Sequence, residues 1–125
     1  MKLFAISGFS GSGKTTLIEV LIPLFLEKGL NVGVVKHAHH SFQIDQKGKD
    51  SFKYRSAGAI ETVVSSSRRM AYVKENRRLE REPELKELVS KFKNSDLVLV
   101  EGFKHEKIVK LQLIRNENPK EFLLV

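Results

Sequence analysis

The residues with the clearest chemical purpose are Gly8-Phe9-Ser10-Gly11-Ser12-Gly13-Lys14-Thr15, which fit the pattern Gly-x-x-x-x-Gly-Lys-Ser/Thr in full. Glycines let a backbone wrap closely around a di- or triphosphate, and the successive amides then point inward. The start of a following helix adds unpaired N–H donors and the positive end of its dipole. In such a loop Gly11, Ser12 and Gly13 form the cradle, Lys14 reaches the β and γ phosphates, and Thr15 offers its hydroxyl to a magnesium ion. Thr16 either opens the helix or reaches the α phosphate. A glycine-rich turn that merely capped a helix would give Lys14 no reason to stand in the first helical turn.

A carboxylate should face this loop from a neighbouring strand. Two candidates bracket the apolar run Leu97-Val98-Leu99-Val100, with Asp96 before it and Glu101 after it. Ligands of parallel sheets bind outside the carboxyl ends of strands, so Glu101 is expected to act on magnesium or its water shell and Asp96 to start the strand. Gly102 either lets backbone approach a phosphate or partner closely, or simply turns the chain. Asp45 and Asp50 lie in a lysine-rich segment with Ser51. One of them completes the magnesium environment or orients a water; the plainer alternative is an exposed carboxylate paired with Lys47 or Lys49.

Lys36, His37, His39 and His40 form a further cluster. Lys36 adds positive charge, and the imidazoles either contact an anion or partner or are solvated loop residues. A zinc site made by the cluster alone is disfavoured, because His37 and His39 point to opposite sides of an extended chain and the sequence has no cysteine.

These groups need elements to hold them. Leu3 to Ile6 is a short apolar run without polar alternation, followed at once by the glycine-rich turn, which predicts a buried central strand. From Lys14 onward Leu17, Ile18, Leu21, Ile22, Leu24 and Phe25 fall at helical spacings, with a kink expected at Pro23 and a stop at Gly29. Val32 to Val35 returns to a strand pattern, completing a βαβ unit. His37 to Ser56 reads as a site-forming loop with one short helix. Glu61 to Ser66 and Met70 to Val73 predict two paired strands, and a helix opened by Pro83 carries Leu85, Leu88, Val89 and Phe92 on one side. Another buried strand starts at Asp96, and Ile108 to Ile114 and Glu121 to Val125 end the chain on strand-like sequence. The predicted class is α/β, P-loop NTPase-like, with a mostly parallel twisted sheet flanked by helices.

A length of 125 residues suits one nucleotide-binding domain, residues 1–125; its apolar last strand suggests a truncated C-terminus or an edge completed by a partner chain. Lys and Arg total 22 against 15 Asp and Glu, and the formal charge of +7 favours anionic partners. Those charges are interspersed with carboxylates and lack a basic aromatic strand, so no nucleic-acid partner is expected. The absence of cysteine excludes disulfides, thiolate metal sites and thiol catalysis. No apolar stretch approaches the roughly 20 residues that span a bilayer, so no membrane association is expected and the expected location is cytoplasmic.

With these motifs in place, the sequence resembles the B proteins of molybdopterin-guanine dinucleotide biosynthesis, a GTP-binding adaptor family of the molybdenum cofactor pathway. The resemblance rests on Gly8 to Thr16, Lys36-His37-Ala38-His39-His40, Asp45 with Gly48-Lys49-Asp50-Ser51, Ala57-Gly58-Ala59, and Asp96 to Lys104. It implies a homodimer that binds GTP with magnesium, hydrolyses it weakly at most, and assists the guanylyltransferase that joins GMP to molybdopterin. By the same resemblance Asp45, Asp50 and Glu101 line the nucleotide or cofactor side. The chain lacks an Asn-Lys-x-Asp guanine-reading motif, so GTP rather than ATP follows from the resemblance only. No glutamine or arginine is placed beside the phosphate loop by motif, which predicts slow hydrolysis. The alternative is a small-molecule kinase with Arg77, Arg78 and Arg81 on a closing lid, although their alternation with Glu75, Glu80 and Glu82 more simply suggests a solvated surface.

Overall fold

In chain order the elements are β1 (Lys2–Ser7), α1 (Lys14–Glu27), β2 (Val32–Lys36), α2 (Asp50–Ala57), β3 (Glu61–Ser65), β4 (Met70–Lys74), α3 (Leu85–Val89), β5 (Leu97–Glu101), β6 (Lys110–Ile114) and β7 (Glu121–Leu124). The structure, a computed structural model, describes residues 1–8, 13–38, 42–45, 49–76, 81–103, 105–114 and 121–124. They fall into two compact units, Met1–His39 with Glu84–Val125, and His40–Pro83.

The first unit holds a five-stranded sheet in the order β2-β5-β1-β6-β7. β5 pairs in parallel with both β1 and β2, β6 is parallel to β1, and only β7 runs antiparallel. Apolar residues occupy both faces of β5, so its sequence does not alternate. On one face Ile6, Leu97 and Leu99 are buried with Ile18 of α1, joined by Leu17, Leu21, Ile22 and Phe25. On the other, Ala5, Val35, Val98 and Val100 are buried with Leu85, joined by Leu88, Val89 and Phe92. Removing each such Val or Leu from water stabilises the fold by about 1.5–3 kcal/mol. The result is a mostly parallel sheet between α1 and α3, the predicted α/β class.

Two details differ from the sequence pattern. The strands of the β1-α1-β2 unit are not neighbours, because β5 enters between them. The helix expected from Pro83 spans only Leu85–Val89. Its end is tightened by N–H groups of Lys91 and Phe92 donating to the carbonyls of Leu88 and Val89, and the Ser90 hydroxyl donates to the Glu87 carbonyl. Phe92 still reaches the core, into space that only Gly33 leaves: a Cβ there would lie 2.5 Å from the Phe92 ring and 2.7 Å from the Ser95 hydroxyl. Pro23 stands at an exposed position inside α1, which continues to Glu27 before Gly29 turns out with φ +80°.

The second unit contains α2, which ends at Gly58, and the β3–β4 hairpin. The hairpin register runs from Glu61 opposite Lys74 to Ser65 opposite Met70. Its turn is closed by the Ser66 N–H donating to the Arg69 carbonyl at 2.9 Å. Among the described residues no helix is long and apolar enough to cross a membrane.

Candidate functional site

Parallel pairing aligns three strand ends. Ile6, Glu101 and Lys36 form one row across β1, β5 and β2, and Ser7 stands beside Gln112 of β6. Side chains alternate along a strand, so Glu101 shares the face of Leu99, and Lys36 shares the face of Val32. Both Leu99 and Val32 pack in the cluster with Ile18 of α1. The half-buried Glu101 and exposed Lys36 therefore lie on the α1 face, at the edge where β1 hands the chain through Gly8 toward the helix.

The start of α1 is suited to an anion. Gly13 precedes the helix at φ 101°, a left-handed conformation that a side chain would oppose, and supplies no capping side chain. The first turn contains no acidic residue, and Lys14 opens it. The initial N–H groups and the lysine ammonium thus combine in one positive helix end, undiminished by a neighbouring carboxylate on the helix. Thr15 and Thr16 follow at exposed positions. A threonine hydroxyl and a carboxylate are hard oxygen donors of the kind magnesium takes in small number, the rest of its shell coming from phosphate and water. By donor chemistry, Thr15 and Glu101 fit that ion, and the helix start fits its phosphate. Gly11 and Ser12 of the motif lie outside the described residues.

The remaining candidates are distributed differently. Asp96 lies at the amino end of β5, where its carboxylate accepts the Asn31 N–H at 2.8 Å, which gives it the strand-start role expected. His37 follows β2; its N–H donates to the Glu101 carbonyl at 2.8 Å and its ring stacks on Phe103 at 4.6 Å between centroids. Phe103 packs against the Ala5, Val35 and Leu85 cluster, so this ring pair belongs to the α3 face. His39 and His40 lie outside the described residues, as do Arg77 and Arg78.

Asp45 and Asp50 belong to the second unit. Asp50 opens α2 at an exposed position. Asp45 is paired with Arg55, which also donates to Glu75 at 2.7 Å and to Gln43 at 2.9 Å. The guanidinium beside Asp45 holds its carboxyl below the usual 3.8, and the two carboxylates keep Arg55 charged throughout the accessible pH range. Sequence reasoning missed Arg55, because nothing in linear spacing marks a residue ten positions away as the partner of Asp45. It also missed the pairing of His37 with Phe103. Gly102 was the available signal there: its absent Cβ leaves room for the Cβ of His37, which would otherwise be 2.6 Å away.

A parallel sheet with a glycine-lysine helix start and a carboxylate at the end of the adjoining strand defines an α/β protein of the P-loop NTPase-like type. Residues 3–125 match the family described as "Molybdopterin guanine dinucleotide synthesis protein B", and the chain belongs to it. It is 43% identical over 127 aligned positions to the "Molybdopterin-guanine dinucleotide biosynthesis adapter protein" of Escherichia coli, covering 98% of this chain and 72% of that protein. The protein of the same description from Haemophilus influenzae is 42% identical over 120 positions, 94% of this chain and 66% of the relative. Among solved structures, Bacillus subtilis MobB superposes with a TM-score of 0.76 at 30% identity, covering 94% of this chain and 70% of that one. The chain thus spans about two thirds to three quarters of the length of these proteins.

Proposed function

We propose that this chain binds GTP with magnesium at the carboxyl edge of its sheet and acts as an adaptor for the guanylyltransferase that joins GMP to molybdopterin. The observation that carries the reading is the row Ile6–Glu101–Lys36, which sets a carboxylate and a lysine on the face where α1 begins with Gly13, Lys14 and Thr15. Gly11, Ser12 and Gly13 cradle the phosphates, Lys14 neutralises them, and Thr16 extends the contact toward the α phosphate. Thr15 and Glu101 are the residues that would hold magnesium, which when bound neutralises phosphate charge. Lys36 adds positive charge beside Glu101. Asp50 is assigned to orienting a water, and the pairing of Asp45 with Arg55 favours a structural task for Asp45 over metal binding.

Hydrolysis is slow in this reading, because no arginine or glutamine is aimed at a γ phosphate by the motif. The adaptor role in molybdopterin-guanine dinucleotide synthesis is supported by membership of the family and by the names of the relatives. The guanylyltransferase partner, molybdopterin as its substrate, a homodimer and a cytoplasmic location rest on the resemblance alone. Calorimetric titration with GTP, ATP and GDP, each with magnesium and with chelator, tests base choice and phosphate count together. The expected order is Mg-GTP tightest; no heat with any nucleotide from the folded protein would overturn the reading.

A further inference from the structure

The edge that carries Glu101 is braced from behind. After Glu101 the chain leaves β5 through Gly102 and Phe103, at φ 99° and 53°, two successive residues in the left-handed region and the second one a phenylalanine. Such a corner persists only where its surroundings over-determine it. His37 supplies that determination three times over. Its N–H donates to the Glu101 carbonyl at 2.8 Å, extending the ladder between β2 and β5 by one step. Its ring stacks on Phe103 at 4.6 Å between centroids with 24° between planes. Its Cβ fills the place a Cβ on residue 102 would occupy, 2.6 Å away. Phe103 is itself seated against the Ala5, Val35, Leu85, Val98 and Val100 cluster. The brace stands on the α3 face, whereas strand alternation puts the Glu101 side chain on the α1 face.

We propose that His37 is a positioning residue for Glu101, acting through the flat face of its ring on Phe103. The inference rests on the reading of Glu101 as a carboxylate that serves the magnesium-bound phosphates. Position is the quantity at stake, because a group about 1 Å out of place forfeits much of an interaction that depends on geometry. Gly102 is the complementary half of the same device: the corner admits His37 only because residue 102 has no side chain.

The test measures GTP affinity with magnesium and with chelator, and takes the ratio as the magnesium gain, for wild type, His37→Ala, His37→Phe and Gly102→Ala. Thermal melts report whether each variant is folded. His37→Ala is expected to keep its chelator affinity and lose about tenfold of the magnesium gain. His37→Phe, which keeps a flat ring and has no nitrogens, is expected to stay within about twofold of wild type, and Gly102→Ala to reproduce the loss. If His37→Ala does not fold, His37→Leu takes its place, filling the volume without a flat face. A gain equal to wild type in the alanine or leucine variant overturns the proposal, as does a phenylalanine variant no better than alanine, which would hand the task to the ring nitrogens. Wild-type protein that binds GTP without any magnesium gain removes the Glu101 reading itself, and the proposal with it.

Discussion

Lys14 is the residue on which the phosphate site turns. Its ammonium stands in the first turn of a helix that begins without a capping side chain or an acid, so nothing on that turn competes for it. A hydrogen bond to a charged group is worth about 1.5–3 kcal/mol, and Lys14→Ala is therefore expected to weaken Mg-GTP binding roughly 10- to 150-fold. Lys14 is only half-buried and lies outside both core clusters, so the melting temperature of the variant should barely move. Calorimetry beside a thermal melt checks both statements; unchanged affinity in a folded variant would contradict the assignment. Thr15→Ala should instead reduce the magnesium gain while sparing affinity in chelator. The motif and the end-of-strand position of Glu101 were legible in sequence because each depends on local order alone. His37 was not: the face a residue presents just past a strand end depends on a partner 66 positions away, Phe103, which no spacing rule connects to it.

Among the elements, the strands were legible where burial on both faces erased polar alternation, as in Leu97 to Val100. Their order was not, since placing β5 between β1 and β2 is a choice among long-range pairings that all satisfy the same apolar runs. The α3 helix was overestimated because Phe92 continues the i, i+3, i+4, i+7 pattern while reaching the core from a tightened turn. That turn explains a requirement of β2. Gly33→Val would drive side-chain atoms into the Phe92 ring and the Ser95 hydroxyl, and overpacking of this kind costs about 1–3 kcal/mol. The expected result is a melting temperature lowered by several degrees, and Gly33→Val combined with Phe92→Ala should lose less than the sum of the two single losses if the clash is its cause. Arg55 has the equivalent role in the second unit, where one guanidinium joins the 42–45 segment, α2 and Glu75 at the end of β4. Arg55→Ala should release all three together, seen as accelerated amide exchange through α2 and the Ile60–Glu75 contact, where the Glu75 N–H donates to the Ile60 carbonyl.

Across the molecule, stability is unevenly distributed. Every fully buried apolar side chain among the described residues, from Ala5 to Val100, belongs to the first unit. In the second unit Val63, Val64, Met70 and Tyr72 are exposed, and polar contacts around Arg55 take the place of a core. A unit held by few apolar contacts opens at lower free energy than a sheet covered on both faces. Its polar contacts also set the pH limits. The Asp45 carboxyl is lowered by the Arg55 guanidinium, so its contribution is complete above the ordinary value of 3.8 and disappears as pH falls through the lowered one. The Tyr72 hydroxyl donates to Glu61 at 3.0 Å, and that carboxylate raises its pKa; its contribution is present below 10.0 and is lost as pH rises through the raised value. Arg55 remains charged across the whole interval, so Asp45 contributes to the acid limb and Tyr72 to the alkaline limb. Amide exchange followed by mass spectrometry should accordingly show β3, β4 and α2 losing protection below about pH 4 and above about pH 10 while β1 and β5 keep theirs. Asp45→Asn should weaken the acid limb and leave the alkaline one, and simultaneous loss of protection in both units at either limit would show that the core and the hairpin open as one.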